Sequence, residues 1–302
     1  MIDSLAHLVS DDSLWSSLFD FSNYGELVVL LKNSIIAGAI LGIVGGLIGV
    51  FVMARDMAFA VHGISELSFA GASAGLLFGV GVVPGAIGGS LVAAILIGVL
   101  GVRARDRNSI IAVLMPFGLG LGILCLALYT GRASNKFGLL TGQIVAVDDP
   151  RLGSLLAVCA IVIAGLLVAW RPLLFASTDA QVAAGRGVPT AGVSLLFMVL
   201  LGLAVAVSVQ IVGSLLVLSI LVTPAAAALR VASSPVVVPV LSMAFGVVSV
   251  VGGILVALGT SIPISPYVTT ISFLIYLVCR IVGEVRERRG SAGGRRARPA
   301  VH

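Results

Sequence analysis

His62 and Glu66 stand four residues apart in the run AVHGISELSFAGASAGLLFG. On a helix that spacing puts both side chains on one face. An imidazole nitrogen and a carboxylate oxygen can each ligate a divalent transition metal. In hydrocarbon a carboxylate costs roughly 2.5 kcal/mol or more at the bilayer midplane, so it turns towards a cavity, a partner or a cargo ion. Two arrangements satisfy it. Either the pair ligates a metal in transit, or the two residues hydrogen-bond each other or another helix and lock the packing. No Lys or Arg lies deep in another apolar run to neutralise Glu66, whereas a moving cation would do so. Two protein ligands suit transient binding better than storage, with further ligands to come from other helices. Phe69 and Ser73 continue the stripe, which makes Ser73 a pathway candidate.

Other polar interruptions are few. Gln143 sits in LLTGQIVAV, and Gln210 opens the run QIVGSLLVLSILVTPAA. Each can line a pathway, cap a helix or hydrogen-bond across helices. Pro224 is predicted to kink or end its helix. The longest polar connection is RPLLFASTDAQVAAGRGVPTAG, residues 171–192. Within it a short helix is predicted, with Asp179 near its start and Gly187 and Pro189 as stops. Such a loop is either functional or a plain connector.

The elements that carry these residues are membrane helices. Of 302 residues, 59% are hydrophobic and 10% charged, and mean hydropathy is +1.19. Nine runs approach the length that crosses about 30 Å of hydrocarbon: 27–54, 58–82, 84–102, 109–129, 152–170, 191–209, 211–229, 236–258 and 262–283. The run 137–147 is too short and reads as a re-entrant or broken helix. The fold class is therefore all-α and polytopic. An acidic amphipathic segment (1–26) precedes the membrane domain (27–283), and a basic, disordered tail (284–302) follows it.

With the N-terminus outside, the inner face collects Arg55, Arg103, Arg105, Arg107, Arg171, Arg186, Arg230, Arg280 and the tail arginines, leaving Arg132, Lys136 and Arg151 outside and Lys32 near the outer end of the first run. This satisfies the positive-inside rule. The tail is a solvated charge run or a contact for anionic membrane lipid. The basic residues form no aromatic-interleaved patch, so nucleic acid is excluded as a partner. Cys125, Cys159 and Cys279 lie singly in apolar runs and read as buried hydrophobes. Residues 1–26 hold no Lys or Arg and lack a cleavable signal's basic start. No GxxxxGK[ST], HExxH or GxSxG motif occurs, so the chain has no P-loop and no sign of hydrolytic chemistry. Gly38–Gly42, Gly45–Gly49 and Gly71–Gly75–Gly79 are spaced for close helix approach.

Four ordered stretches resemble the permease subunits of zinc/manganese-type ABC importers, over about residues 30–283. They are the His62–Glu66 helix, LLTGQIVAV, STDAQVAAGRGVP and QIVGSLLVLSILVTPAAAAL. The resemblance implies a multi-pass protein of the bacterial plasma membrane that pairs with a second permease protomer. A cytoplasmic ATP-binding subunit would drive it, and an extracellular metal-binding lipoprotein would feed it. It makes 177–189 the ATPase-coupling element, with Asp179, Ala183, Gly187 and Val188 matching the family's loop. It makes the His62–Glu66 helix the metal site. Where the family has Asp and then His, this chain has His62 and then Glu66, which keeps the ligand classes and leaves the metal open. Gln143 stands where the family carries an acidic or small polar residue. The expected function is the transmembrane subunit of an importer for Zn²⁺ or Mn²⁺. The metal is cargo, no cofactor is resident, and the chain is not itself an enzyme. A permease for a metal chelate and a proton-coupled secondary transporter are the alternatives.

Overall fold

The computed structural model describes residues 24–101, 104–131, 147–258 and 264–295. Every regular element among them is helical: α1 (Tyr24–Leu30), α2 (Lys32–Ala54), α3 (Ala58–Leu77), α4 (Val82–Leu100), α5 (Ala104–Leu128), α6 (Asp149–Thr178), α7 (Ala180–Gly185), α8 (Thr190–Val212), a 3-10 turn (Ser214–Leu216), α9 (Val217–Leu221), α10 (Thr223–Val231), α11 (Val237–Ala257) and α12 (Ile264–Arg295). Seven of the described helices are long and apolar enough to cross a membrane: α2, α4, α5, α6, α8, α11 and α12.

Two of the nine expected runs take other forms. The second, α3, is 20 residues long, but His62, Glu66 and three serines dilute its hydropathy. It is buried along most of its length between α4 and α5, so protein rather than lipid solvates it. The seventh run, expected to be one helix over 211–229, is broken. Gly213, at φ 88°, ends α8, and α9 stops at Leu221. Pro224 opens α10 in its first turn, where a missing N–H costs nothing. Gln210 consequently closes α8 instead of opening the next run. Two boundaries also move. Helix α6 continues past residue 170, through Pro172 to Thr178, and α12 runs to Arg295, beyond the expected start of a disordered tail. Residues 1–23 and, apart from Val147, the short run 137–147 lie outside the described residues.

Glycine stripes set the packing, because an absent side chain lets one backbone rest on another. A Cβ on Gly42 would lie 2.6 Å from the Val247 nitrogen, and one on Gly46 2.5 Å from the Ser242 carbonyl oxygen. The Ser242 hydroxyl donates to the Gly46 carbonyl at 2.7 Å across that same contact. Gly45 and Gly49, on another face of α2, rest against Ile220 and Leu221 at the end of α9. Gly71 and Gly75 meet Gly81, Gly85 and Gly89, joining α3 to α4. Gly79 does not continue this stripe: it sits in the turn after α3 at φ +74°, with open space at its Cβ position. Exposed apolar side chains such as Val113, Phe117, Ile161, Val168, Phe273 and Val278 form the outer surface, as expected where the solvent is lipid.

Candidate metal-transit site

Helix α3 is drawn tightly against its neighbours at the ligand pair. On α5, a Cβ at Gly118 would meet Leu67 Cδ1 at 2.7 Å and the Glu66 backbone carbon at 3.0 Å, and Gly122 faces the Phe69 ring. One turn earlier, Gly63 lets Ile111 of α5 approach. The polar helix is thus enclosed on one side by α5 and on another by α4.

Within this enclosure His62 Nε2 stands 3.8 Å from Glu66 Oε1. That separation is too long for a hydrogen bond. It lies within the span of two metal–ligand bonds of about 2.1 Å each. Side-chain exposure is 27% for His62 and 4% for Glu66, so the pair opens on the imidazole side. The Nδ1 of His62 and the Oε2 of Glu66 are buried and have no hydrogen-bond partner. A pair that served only to lock packing would be expected to spend these atoms. Among the described residues no third His, Cys, Asp or Glu joins the group.

The other pathway candidates diverge. Ser73 is fully buried and its hydroxyl donates to the Phe69 carbonyl at 2.9 Å, a bond within its own helix. It stands about 10 Å along the axis from Glu66. Gln210 is more suggestive: its Nε2 is buried without a partner, as is the Ser214 hydroxyl four residues on. Both belong to the end of α8 and the 3-10 turn, a region that packs on α3. Ser214 was not anticipated from sequence. The signal for it was Gly213, whose positive φ makes the break. Gln143 lies outside the described residues.

All four residues of the expected coupling element come together in one capped turn. Asp179 is the N-cap of α7, its Oδ1 accepting from the amides of Gln181 at 3.0 Å and Val182 at 2.9 Å. At the other end Gly187 takes φ 82°. Its amide donates to the Ala184 carbonyl and the Val188 amide to the Ala183 carbonyl, at 3.0 and 3.1 Å. This is the Schellman arrangement, with glycine at the left-handed position. Ala183 is fully buried and Val188 packs against the same core, so six residues of helix are anchored at both ends and underneath. Gln181, Ala184 and Gly185 are left exposed.

Among the described residues, seven membrane-length apolar helices packed with a sheltered polar one define a polytopic all-α membrane protein. Residues 28–283 match the ABC 3 transport family, and the chain belongs to that family, whose members are the membrane permease subunits of ABC transporters. Over 225 residues it is 30% identical to the manganese transport system membrane protein MntC of Halalkalibacterium halodurans, covering 74% of this chain and 77% of that protein. It is 28% identical over 249 residues to the manganese import system permease protein ScaB of Streptococcus parasanguinis, covering 82% and 89%. Among solved structures it is similar to PsaBC from Streptococcus pneumoniae in complex with Fab, at TM-score 0.77 and 27% identity over 86% of this chain and 95% of that one. An inward-facing metal-chelate type ABC transporter shares the fold, at TM-score 0.64 and 19% identity over 92% and 97%.

Proposed function

We propose that this permease imports a divalent transition metal, with Mn²⁺ the main cargo, and that His62 and Glu66 are its transient ligands. The observation that carries the reading is the 3.8 Å gap between His62 Nε2 and Glu66 Oε1, together with the unpartnered Oε2 of a buried carboxylate. An ion between the two side chains satisfies both and neutralises Glu66 within the bundle. Carboxylate and water favour Mn²⁺, imidazole is shared with Zn²⁺, and selectivity between them rests on geometry and supply. The relatives named as manganese systems support Mn²⁺.

The remaining parts follow from this reading. Two ligands leave coordination positions open, and the same pair from a second protomer, approaching on the exposed side of His62, would fill them. The chain has no nucleotide motif, so a cytoplasmic ATP-binding subunit supplies the energy through the capped turn at 179–188. An extracellular metal-binding lipoprotein delivers the ion. The arginine distribution puts the C-terminal end of α12 and the 179–188 turn in the cytoplasm and the N-terminus outside. The protein holds no resident cofactor.

The test is ATP-driven uptake of Mn²⁺, Zn²⁺ and Fe²⁺ into proteoliposomes that hold the chain with its ATPase and binding protein. Uptake of one ion by wild type, lost in His62→Ala and Glu66→Ala although both assemble, is expected. Uptake that survives both substitutions would remove the ligand assignment.

A further inference from the structure

A polar cavity lies away from the His62–Glu66 pair, where the ends of α2, α4, α5, α6 and α8 meet beside α7. Its volume is about 440 Å³, and Arg55, Arg107, Ser177, Thr190 and Ser194 supply its polar lining. The two arginines are held in place by groups that do not neutralise them. Arg55 donates from Nε to the Ser177 hydroxyl at 2.9 Å and from Nη1 to the Ser194 hydroxyl at 3.2 Å. Its guanidinium stacks over the Phe197 ring, 5.4 Å from the centroid. Arg107 Nη2 donates to the carbonyls of Arg55 at 3.5 Å and Asp56 at 3.2 Å. Asp56 holds φ 52°, a left-handed conformation uncommon outside glycine. The Nε of Arg107 is buried and has no acceptor.

No carboxylate among the described residues forms an ion pair with either arginine. Asp56 is exposed, and Asp179 spends Oδ1 on the α7 cap. Burial first, and the Arg107 charge second, push the Arg55 guanidinium below its ordinary range. Two neighbouring, partly desolvated cations with unused donors are unfavourable unless an anion completes them.

We propose that this cavity binds a phosphate group, held between the Arg55 and Arg107 guanidinia with the hydroxyls of Thr190, Ser177 and Ser194 beside it. Paired guanidinium forks match phosphate oxygens. The cavity falls in the roughly 300–1,000 Å³ range of small-molecule sites and is larger than a single carboxylate needs. The phosphate belongs either to an anionic lipid headgroup of the inner leaflet or to a free phosphate compound. Ala180 of α7 lines the cavity, so occupancy bears on the turn that meets the ATPase. That consequence rests on the function proposed above; phosphate binding itself does not.

The experiment uses the full chain in nanodiscs of neutral phosphatidylcholine. Inorganic phosphate is titrated and thermal stability is followed, with chloride at matched ionic strength as control. Wild type should show a saturable upward shift. Arg107→Gln should raise the half-saturating concentration by about tenfold or more, and Arg171→Gln, an exposed arginine elsewhere, should leave it unchanged. Arg55→Lys, which keeps the charge but not the fork, should weaken binding while preserving the fold. Native mass spectrometry then separates the two sources. Phosphatidylglycerol retained by wild type and displaced by phosphate marks a headgroup site, whereas phosphate binding without lipid retention marks a free phosphate compound. Equal responses in wild type and Arg107→Gln, or equal effects of chloride and phosphate, would overturn the proposal. So would abolition of phosphate binding by the ATPase subunit alone, since a partner's carboxylate would then be the occupant.

Discussion

At the scale of single residues, the proposed function rests most on Glu66. A carboxylate shielded to 4% exposure with one oxygen unpartnered is maintained against a desolvation cost of several kcal/mol. Glu66→Gln keeps the shape and removes the charge. It should fold, assemble with the ATPase and show no metal uptake above background in proteoliposomes; uptake at half the wild-type rate or more would mean the charge is dispensable. His62→Ala should lower uptake while sparing ATPase assembly, because the buried Nδ1 of the imidazole has no hydrogen-bond partner to lose. Spacing alone put these two residues on one face. It did not show that they stop short of a mutual hydrogen bond, since that depends on rotamers set by the surrounding helices.

At the scale of elements, α3 and α7 owe their positions to glycines at particular contacts. Gly118 is where α5 touches the backbone of Glu66. Gly118→Leu would force α5 outward and disturb the ligand helix, with an overpacking cost of about 1–3 kcal/mol. Its thermal midpoint should fall and its uptake with it, whereas Gly120→Leu, at a position with open space, should leave both near wild type. In α7, Gly187→Val puts a branched side chain at φ 82° and should cost about 1–2 kcal/mol locally. Asp179→Ala removes the N-cap for about 1 kcal/mol. Both should weaken co-purification of the ATPase more than they lower the melting temperature of the isolated permease; the reverse ordering would assign the turn a purely structural part. Asp179 and Gly187 were legible from sequence because cap residues carry their own conformational preferences. The break at Gly213 was not, since QIVGSLLVLSILV reads as one apolar run and only the left-handed backbone at Gly213, φ 88°, shows where it stops being one helix.

At the scale of the whole molecule, α2 is the central post. Its glycines receive α11 on one face and the end of α9 on another, and Phe51 near its far end packs edge-on to Trp170 at 5.0 Å and against Phe197 at 6.2 Å. Gly42→Leu should therefore abolish accumulation of folded protein in the membrane, read by size-exclusion profile in detergent, while Gly25→Leu, with nothing near it, should not. The sequence by itself determined that this chain is an all-α membrane bundle, that His62 and Glu66 share a face of one helix, and that a short helix capped by Asp179 and stopped at Gly187 lies within the longest polar connection. These follow from hydropathy, helical spacing and cap chemistry, which are local. Only the tertiary structure decided that α3 is sheltered by protein, that the seventh run is broken, that Gln210 closes α8 beside Ser214, and that Arg55 and Arg107 share a cavity. Those depend on which backbones can touch, and contact between residues 52 positions apart has no signature in a single chain's composition or period.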